Sequence, residues 1–410
     1  MSRVKNEQDP DGLQVYMISD TPMGAYYHYC TQLCNALVEC PEIKEVRLLA
    51  LFEDRKQPGV PPEERVLLDS RIKLEVMGPT GRSRIWRRLA FFRNLFRHLR
   101  QVSRSSWSVI HFQTLTGFQI LDTILLIIYR IMGIPMVRSV HETTAAERIR
   151  IPSCFEQWVG RWQIKLVDAL IVHDAGTGQR IQNFLGEKPI TVIPHGNYLV
   201  FRSFMPKGIE AILPKQDPPV ALFLGIKRHK GLEVFIEALR QLQDMRFPMK
   251  AVIAGRINPG DEDLIEAIRS LLMAEIRPGY ISNTEIWKIY KECDFVVLPY
   301  LRGTTSGAVH LAYAFKRPVI VSNLECFHEL VIDEKTGLVI PKGDAAALAK
   351  AMIHLCERQS DRIRMGEEGF RLASDQQYRW EEISGRTAQV YSNILYQKRT
   401  RKMQKFMDGG

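Results

Sequence analysis

Short uninterrupted apolar runs recur along the chain, and most are followed by a turn and then by apolar positions at helical spacing. The first run is Leu13 to Ser19 (LQVYMIS); Asp20 to Gly24 reads as a turn, and Tyr26 to Val38 has helical periodicity. Further runs stand at Val46 to Phe52, Trp107 to Phe112, Pro135 to His141, Ala169 to Asp174 and Ile190 to Gly196, separated by helical or loop segments. Strands alternating with helices predict a parallel sheet. A polar, proline-rich stretch from Met205 to Pro219 then reads as a connection. A second series follows it: Val220 to Gly225, a helix from Gly231, Lys250 to Gly255, Phe295 to Tyr300, a helix from Gly307, and Pro318 to Ser322. The pattern predicts an α/β protein of two similarly built Rossmann-like domains, spanning 1–205 and 206–375. A helical segment over 376–397 and a basic, mobile tail over 398–410 complete the chain.

The greasiest stretch, Phe118 to Val137, contains Asp122, Arg130, Gly133 and Pro135, so a buried helix followed by a strand is expected rather than a membrane span. Length fits two domains: 410 residues with 45% hydrophobic side chains can build two cores. The formal charge of +10 favours an anionic partner without naming it. Seven cysteines are scattered without the paired short spacings of a zinc site, which predicts reduced thiols and no structural metal. Met1 to Gly12 is polar and has no apolar core, so no secretory leader is expected and a cytoplasmic location is.

Two segments carry candidate chemistry. In PYLRGTTSGAVHLAYAF a strand ends at Pro299-Tyr300 and a helix begins near Ser306-Gly307 after a small-residue loop. Helix-start N–H groups with the Thr304, Thr305 and Ser306 hydroxyls suit a diphosphate; an ordinary N-capped helix reads the same way. In FLGIKRHKGLEVFIEAL a strand ends at Gly225 and Lys227, Arg228 and Lys230 cluster before an amphipathic helix. Cations at a strand's carboxyl end face the crevice where α/β proteins bind ligands, Arg228 as a fork for phosphate oxygens and Lys230 as a compact charge. A solvated basic turn is the other reading.

Taken with Gly24, VHE (Val140 to Glu142), VIPHGN (Val192 to Asn197), VIAG, YISNTEIWKIYKECDFVVLPY and ELVIDEKTGLVIPKGD, these segments resemble the family-4 glycosyltransferases in order and spacing over most of the chain. The resemblance implies the GT-B fold, two Rossmann-like domains facing across a cleft, with the nucleotide-sugar held mainly by the C-terminal one. It implies that Arg228 and Lys230 contact the donor diphosphate beside Gly225, and that Thr304, Thr305, Ser306 and Gly307 form the phosphate-facing loop. Tyr280 and Ile281 fall where the family reads the base, His141 where a histidine approaches the transferred sugar, and Gly24 under the reaction centre. The helix after Trp380 resembles the segment that crosses back to the first domain. Implied too are a UDP- or GDP-linked donor, a glycan or polyprenyl-linked acceptor, retained anomeric configuration, and no cofactor or metal. Taken alone, a histidine after an apolar strand reads first as a hydrogen-bonded core residue.

The chain departs from the family at two glutamates that it usually carries eight positions apart: counted back from Pro318, Gly303 and Leu311 stand there. The Arg228 to Lys230 interval is also one residue short. The missing carboxylates motivate a second reading, a non-catalytic nucleotide-sugar binder or partner subunit. Finally, Arg82 to Gln101 holds seven arginines with Ile85, Leu89, Phe92, Phe96 and Leu99 at helical spacing. Two readings stand: peripheral docking on the anionic inner face of a membrane, or a domain helix with its apolar stripe in the core. Nucleic-acid binding is not expected, since no such module is present.

Overall fold

The computed structural model describes residues 12–19, 25–52, 68–78, 84–104, 107–114, 119–141, 154–186, 188–207, 217–257, 260–303 and 307–408. Two compact units result, one holding the described residues up to His195 together with those from Trp380 onward, the other the described residues of Gly196–Arg379. The chain thus passes between units just after the seventh strand, ahead of the proline-rich stretch.

In the first unit β1 (Leu13–Ser19), β2 (Ile43–Phe52), β3 (Lys73–Gly78), β4 (Ser108–Phe112), β5 (Met136–Val140), β6 (Ala169–Val172) and β7 (Ile190–Val192) form one sheet in the order β3-β2-β1-β4-β5-β6-β7. Its paired strands are parallel. Alternate residues of β1 feed two cores: Val15 and Met17 pack with α1 (Ala25–Leu37) on one face, Tyr16 and Ile18 with α2 (Arg84–Val102) and α3 (Gln119–Ile131) on the other. Both faces are covered, so the strand reads as a continuous apolar run. Helices α4 (Cys154–Leu166) and α5 (Ala175–Leu185) follow, the latter capped by Asp174, whose carboxylate accepts from the Thr177 N–H at 2.6 Å.

The second unit repeats the plan. Its strands β8 (Val220–Leu224), β9 (Lys250–Gly255), β10 (Ala274–Pro278), β11 (Phe295–Leu298), β12 (Val319–Ser322) and β13 (Gly337–Ile340) lie in the order β10-β9-β8-β11-β12-β13. Between and after them run α6 (Leu232–Asp244), α7 (Glu262–Arg269), α8 (Ile286–Glu292), α9 (Gly307–Ala314), α10 (Glu325–His328), α11 (Ala345–Glu357) and α12 (Gln359–Ala373). Each sheet therefore reverses its winding beside its first strand, at β1/β4 and at β8/β11, the place where open α/β sheets bind ligands.

Four expectations need correction. The three strands that apolar runs did not predict, β3, β10 and β13, are all sheet edges; in β3 and β10 one open side admits charged residues such as Glu75, Glu275 and Arg277 and breaks the run, whereas β13 is apolar throughout but only four residues long. The expected mobile tail is helix: α13 runs Trp380–Asp408. Lys398 pairs with Asp168 at 2.8 Å and donates to the Ile134 carbonyl at 3.1 Å, while the Arg399 guanidinium lies 3.9 Å from the Trp107 ring centroid. In α2 the buried stripe is Phe91, Leu95, His98 and Val102, not Phe92 and Phe96, which are exposed; Ile85 and Leu89 lie outside the described side chains. The greasy helix α3 is buried on only one side, through Leu125, Leu126 and Tyr129.

Candidate functional site

At the switch point of the second sheet, two loops leave adjacent strands and lock together. The first follows β8. Gly225 takes φ +91, its N–H donates to the Ala254 carbonyl at 2.7 Å, and a one-turn 3-10 helix, Arg228–Lys230, closes on Gly231 at φ +76. The second follows β11, and its Leu301 N–H donates to the His229 carbonyl at 2.9 Å. Glycine at 231 is required twice over: its φ is left-handed, and a Cβ would stand 1.9 Å from the Pro299 carbonyl oxygen.

The two expected cations lie in different surroundings. Lys230 turns back over the strand end, its Nζ 3.2 Å from the Leu224 carbonyl, 5.6 Å from the Tyr300 ring centroid and packed over Gly225. There the ammonium is anchored by one carbonyl and one aromatic face and keeps donors for an anion. Arg228 is half-exposed and engaged with carboxylates: Asp263 at 2.5 and 2.6 Å, Asp261 at 3.3 Å, and Glu233. The hydrogen bond that Arg228 donates to Asp263 holds its pKa above the usual value. A phosphate must compete with three carboxylates for this guanidinium but with none of them for Lys230.

Gly307 opens α9, where a Cβ would come within 2.7 Å of the Tyr198 ring and 3.0 Å of its hydroxyl. Tyr198, buried, belongs to the stretch that enters this unit, so its phenol stands against the start of the helix. Thr304, Thr305 and Ser306 lie outside the described residues, as does Gly24. Tyr280 is half-buried after β10, with the Arg256 guanidinium 4.9 Å from its ring centroid; its hydroxyl has no hydrogen-bond partner among the described residues. Ile281 follows it, also half-buried. Leu311, at one of the two glutamate positions, is buried in α9, and Gly303 sits beside Tyr300 and Cys326.

In the first unit His141 ends β5 inside a buried polar chain. His173 Nδ1 lies 3.0 Å from the Ile193 carbonyl and so carries the proton, which leaves Nε2 to accept from His141 Nδ1–H at 3.0 Å. The Gln113 side-chain amide bridges His141 Nε2 at 2.8 Å and His111 Nε2 at 3.2 Å. His111 Nδ1 accepts from the Tyr391 hydroxyl at 2.6 Å. The structure sets Gln113 Oε1 toward His141 and Nε2 toward His111, whose Nε2 also meets Ser139 Oγ at 2.9 Å; neutral rings with His141 Nδ1 protonated require that amide turned over, so that its nitrogen donates to His141. Burial is the first cause that holds these imidazoles neutral, lowering His173 to about 4 and His111 to about 3, and His141 well below the usual value. Tyr29 packs among His141, His173, His195 and Trp380, with centroids 4.9 to 5.2 Å away. Both His141 nitrogens are engaged within the unit, one by His173 and one by Gln113.

Sequence reasoning singled out His141 alone from this group. The signal for the rest was present, because β4, β6 and the segment after β7 each carry a histidine, His111, His173 and His195, at or near the strand's end. Tyr198, Tyr300 and Arg256 had no such signal, since rings and cations that meet only in space leave no spacing. Among the described residues no group of three His, Cys, Asp or Glu side chains is placed to hold a metal ion.

Comparison with known proteins adds two family matches, glycosyltransferase family 4 over residues 28–197 and glycosyl transferases group 1 over residues 218–358. The phosphatidyl-myo-inositol mannosyltransferase of Mycobacterium leprae is 26% identical over 264 residues, 63% of this chain and 67% of the relative. The match thus spans about two thirds of that relative's length. Among solved structures, the sucrose-phosphate synthase of Thermosynechococcus elongatus superposes with a TM-score of 0.73 at 17% identity, covering 94% of this chain and 99% of that one. HepE of Anabaena in complex with UDP gives 0.67 at 17% identity, covering 93% and 100%.

Proposed function

The chain belongs to the group 1 glycosyl transferases of glycosyltransferase family 4 and has the GT-B fold, and from that premise we propose that it moves a hexose from a UDP- or GDP-linked sugar to a hydroxyl of a glycan or lipid-linked acceptor, with retained configuration. One observation carries this reading: Lys230 lies over the carboxyl end of β8, at the switch point of the second sheet, anchored by Leu224 O and Tyr300.

In this scheme the diphosphate is the leaving group, and negative charge grows on it as the glycosidic bond breaks. Lys230 and the start of α9 oppose that charge from fixed positions, without a metal ion. Arg228 reaches the diphosphate by exchanging a carboxylate for a phosphate, so it contributes less than Lys230. Tyr280 and Ile281 bound the base, Thr304, Thr305, Ser306 and Gly307 the phosphates, and Gly24 the acceptor side. His141 presents a neutral imidazole to the sugar, its tautomer set by His173. The name of the M. leprae relative includes a lipid substrate, which supports a lipid-linked acceptor here.

A second reading, a nucleotide-sugar binder without turnover, is favoured by Gly303 and the buried Leu311 in place of carboxylates. Thermal shift and hydrolysis with UDP- and GDP-sugars separate the two. A shift by one donor, lost in Lys230→Ala and weakened in Arg228→Ala, with slow release of free sugar, is the expected result. A shift without any turnover, with or without acceptors, would select the binder; no shift with either base would remove both.

A further inference from the structure

We propose that the outer surface of α2, α3 and α4 docks on an anionic lipid bilayer, with the isoleucine ridge of α3 and the tryptophan pair of α4 entering the headgroup boundary. The ridge is Ile120, Ile124, Ile127 and Ile131, four side chains on one helical face; Ile120 is 75% exposed and Ile131 80%. On α4, Trp158 and Trp162 are one turn apart and exposed, their ring centroids 6.1 Å from each other. On α2, Phe92 and Phe96 are also one turn apart and exposed.

These helices are neighbours on one side of the first sheet. Gln163 of α4 donates to Thr123 Oγ1 of α3 at 3.0 Å, and His98 of α2 meets the Tyr129 hydroxyl of α3 at 2.7 Å. Most of the exposed large apolar side chains among the described residues therefore gather on adjoining helices. In the second unit the exposed set, Met245, Leu272, Ile332 and Ile363, comes from four separate segments, while Tyr396, Met403 and Met407 lie along α13. Isolated exposed apolar residues are ordinary, whereas a gathered set marks an interaction surface.

Charge selects the occupant. Arg93, Arg97, Arg100, Arg161 and Lys165 are exposed among these aromatic and aliphatic side chains, and the only carboxylate among the described side chains of the three helices, Asp122, is buried. A second copy would set cations against cations, while acidic headgroups complement them and acyl chains accept the isoleucines. Tryptophan with arginine suits the water-lipid boundary. Among the described residues no helix is long and apolar enough to cross a membrane, so the contact is interfacial. The surface deepens the proposal of a lipid-linked acceptor, and its purpose rests on that reading; lipid binding itself is tested without donor.

The test is sedimentation of the whole protein with vesicles of phosphatidylcholine and phosphatidylglycerol in equal parts, against phosphatidylcholine alone. The protein is expected to partition to the mixed vesicles, more weakly as salt rises. Binding should fall at least about tenfold in Ile124→Ser/Ile127→Ser/Ile131→Ser, and Arg93→Gln/Arg97→Gln should lose the preference for the anionic lipid. Leu272→Ser, at an exposed site of the second unit, serves as the control and should bind unchanged. Brominated acyl chains should quench tryptophan emission in the wild type and much less in Trp158→Phe/Trp162→Phe. Failure to partition, or wild-type binding by the triple isoleucine variant, would overturn the proposal. So would a wild-type dimer that this variant turns into a monomer, because the surface would then belong to a second copy. Vesicle binding without any donor-induced thermal shift would remove the transferase reading and leave this surface standing.

Discussion

The two units share the same strand order around a switch point yet place opposite chemistry at their strand ends. In the second unit, glycine turns at 225 and 231 bring a lysine over the Leu224 carbonyl. In the first, the ends of β4 to β7 gather His111, His141, His173 and His195 as packed rings around Gln113 and Tyr29, and burial holds the first three neutral. Their outer surfaces differ as well, since among the described residues only the first unit gathers exposed isoleucine, phenylalanine and tryptophan among arginines. One backbone plan thus carries a lysine-bearing corner in one half and a buried, hydrogen-bonded histidine cluster in the other; the side chains at strand ends, not the fold, make the difference.

Acid should break this symmetry most strongly. The first unit buries His98, His111, His141 and His173 as neutral rings, the second His310, with burial as the leading cause in each. Their folded pKa values lie below the unfolded value, so their stability contribution is intact above an unfolded pKa of about 6.5 and is lost as pH falls toward about 4, at about 1.4 kcal/mol per pH unit for each ring. Hydrogen exchange followed over this range, corrected for intrinsic rates, should show the first unit opening at a higher pH than the second. Simultaneous opening would mean the rings are not held neutral.

Gly231→Ala tests the other half. Its Cβ would meet the Pro299 carbonyl at 1.9 Å on a left-handed backbone, and the expected loss is about 3 kcal/mol or more, confined to the second unit. Denaturant unfolding followed by hydrogen exchange reads where the loss falls. Next in size is Lys230→Ala, for which donor binding should weaken by about 2 kcal/mol with the melting temperature of the free protein nearly unchanged. Titration calorimetry on the two proteins gives both answers, and equal affinities would leave the corner without its cation. Smallest is Tyr391→Phe, which removes the 2.6 Å hydroxyl donor from His111 and should cost about 1 kcal/mol, read as a shift of the denaturation midpoint.

Much of this contrast was legible in the sequence. Continuous apolar runs mark the inner strands because both faces are covered, and β1, β8 and β9 fall within a residue of their runs. The edge strands β3 and β10 escape because their open side admits charged residues, whereas β7, also an edge, is marked by its apolar run, and β13 escapes although it is apolar, being only four residues long. The registration of α2 escaped for a related reason: Phe91 and Phe92 are adjacent, and periodicity alone cannot say which of two neighbouring aromatic residues faces the core, which here is Phe91. Spacing located Arg228 and Lys230 together, but only three dimensions separate the one engaged by Asp263 from the one held over Gly225. The helical tail was missed because Lys398 and Arg399 read as solvated charge, whereas Asp168 and Trp107 receive them.

The claim that the nucleotide sits on the second unit is tested most directly by hydrogen exchange with and without UDP and GDP. The account predicts that one of them slows exchange in 224–231 and 299–314, with no change at the histidine-bearing strand ends of the first unit. Protection centred on the ends of β4 to β7, with the segments around Lys230 and Gly307 unaffected, would contradict it.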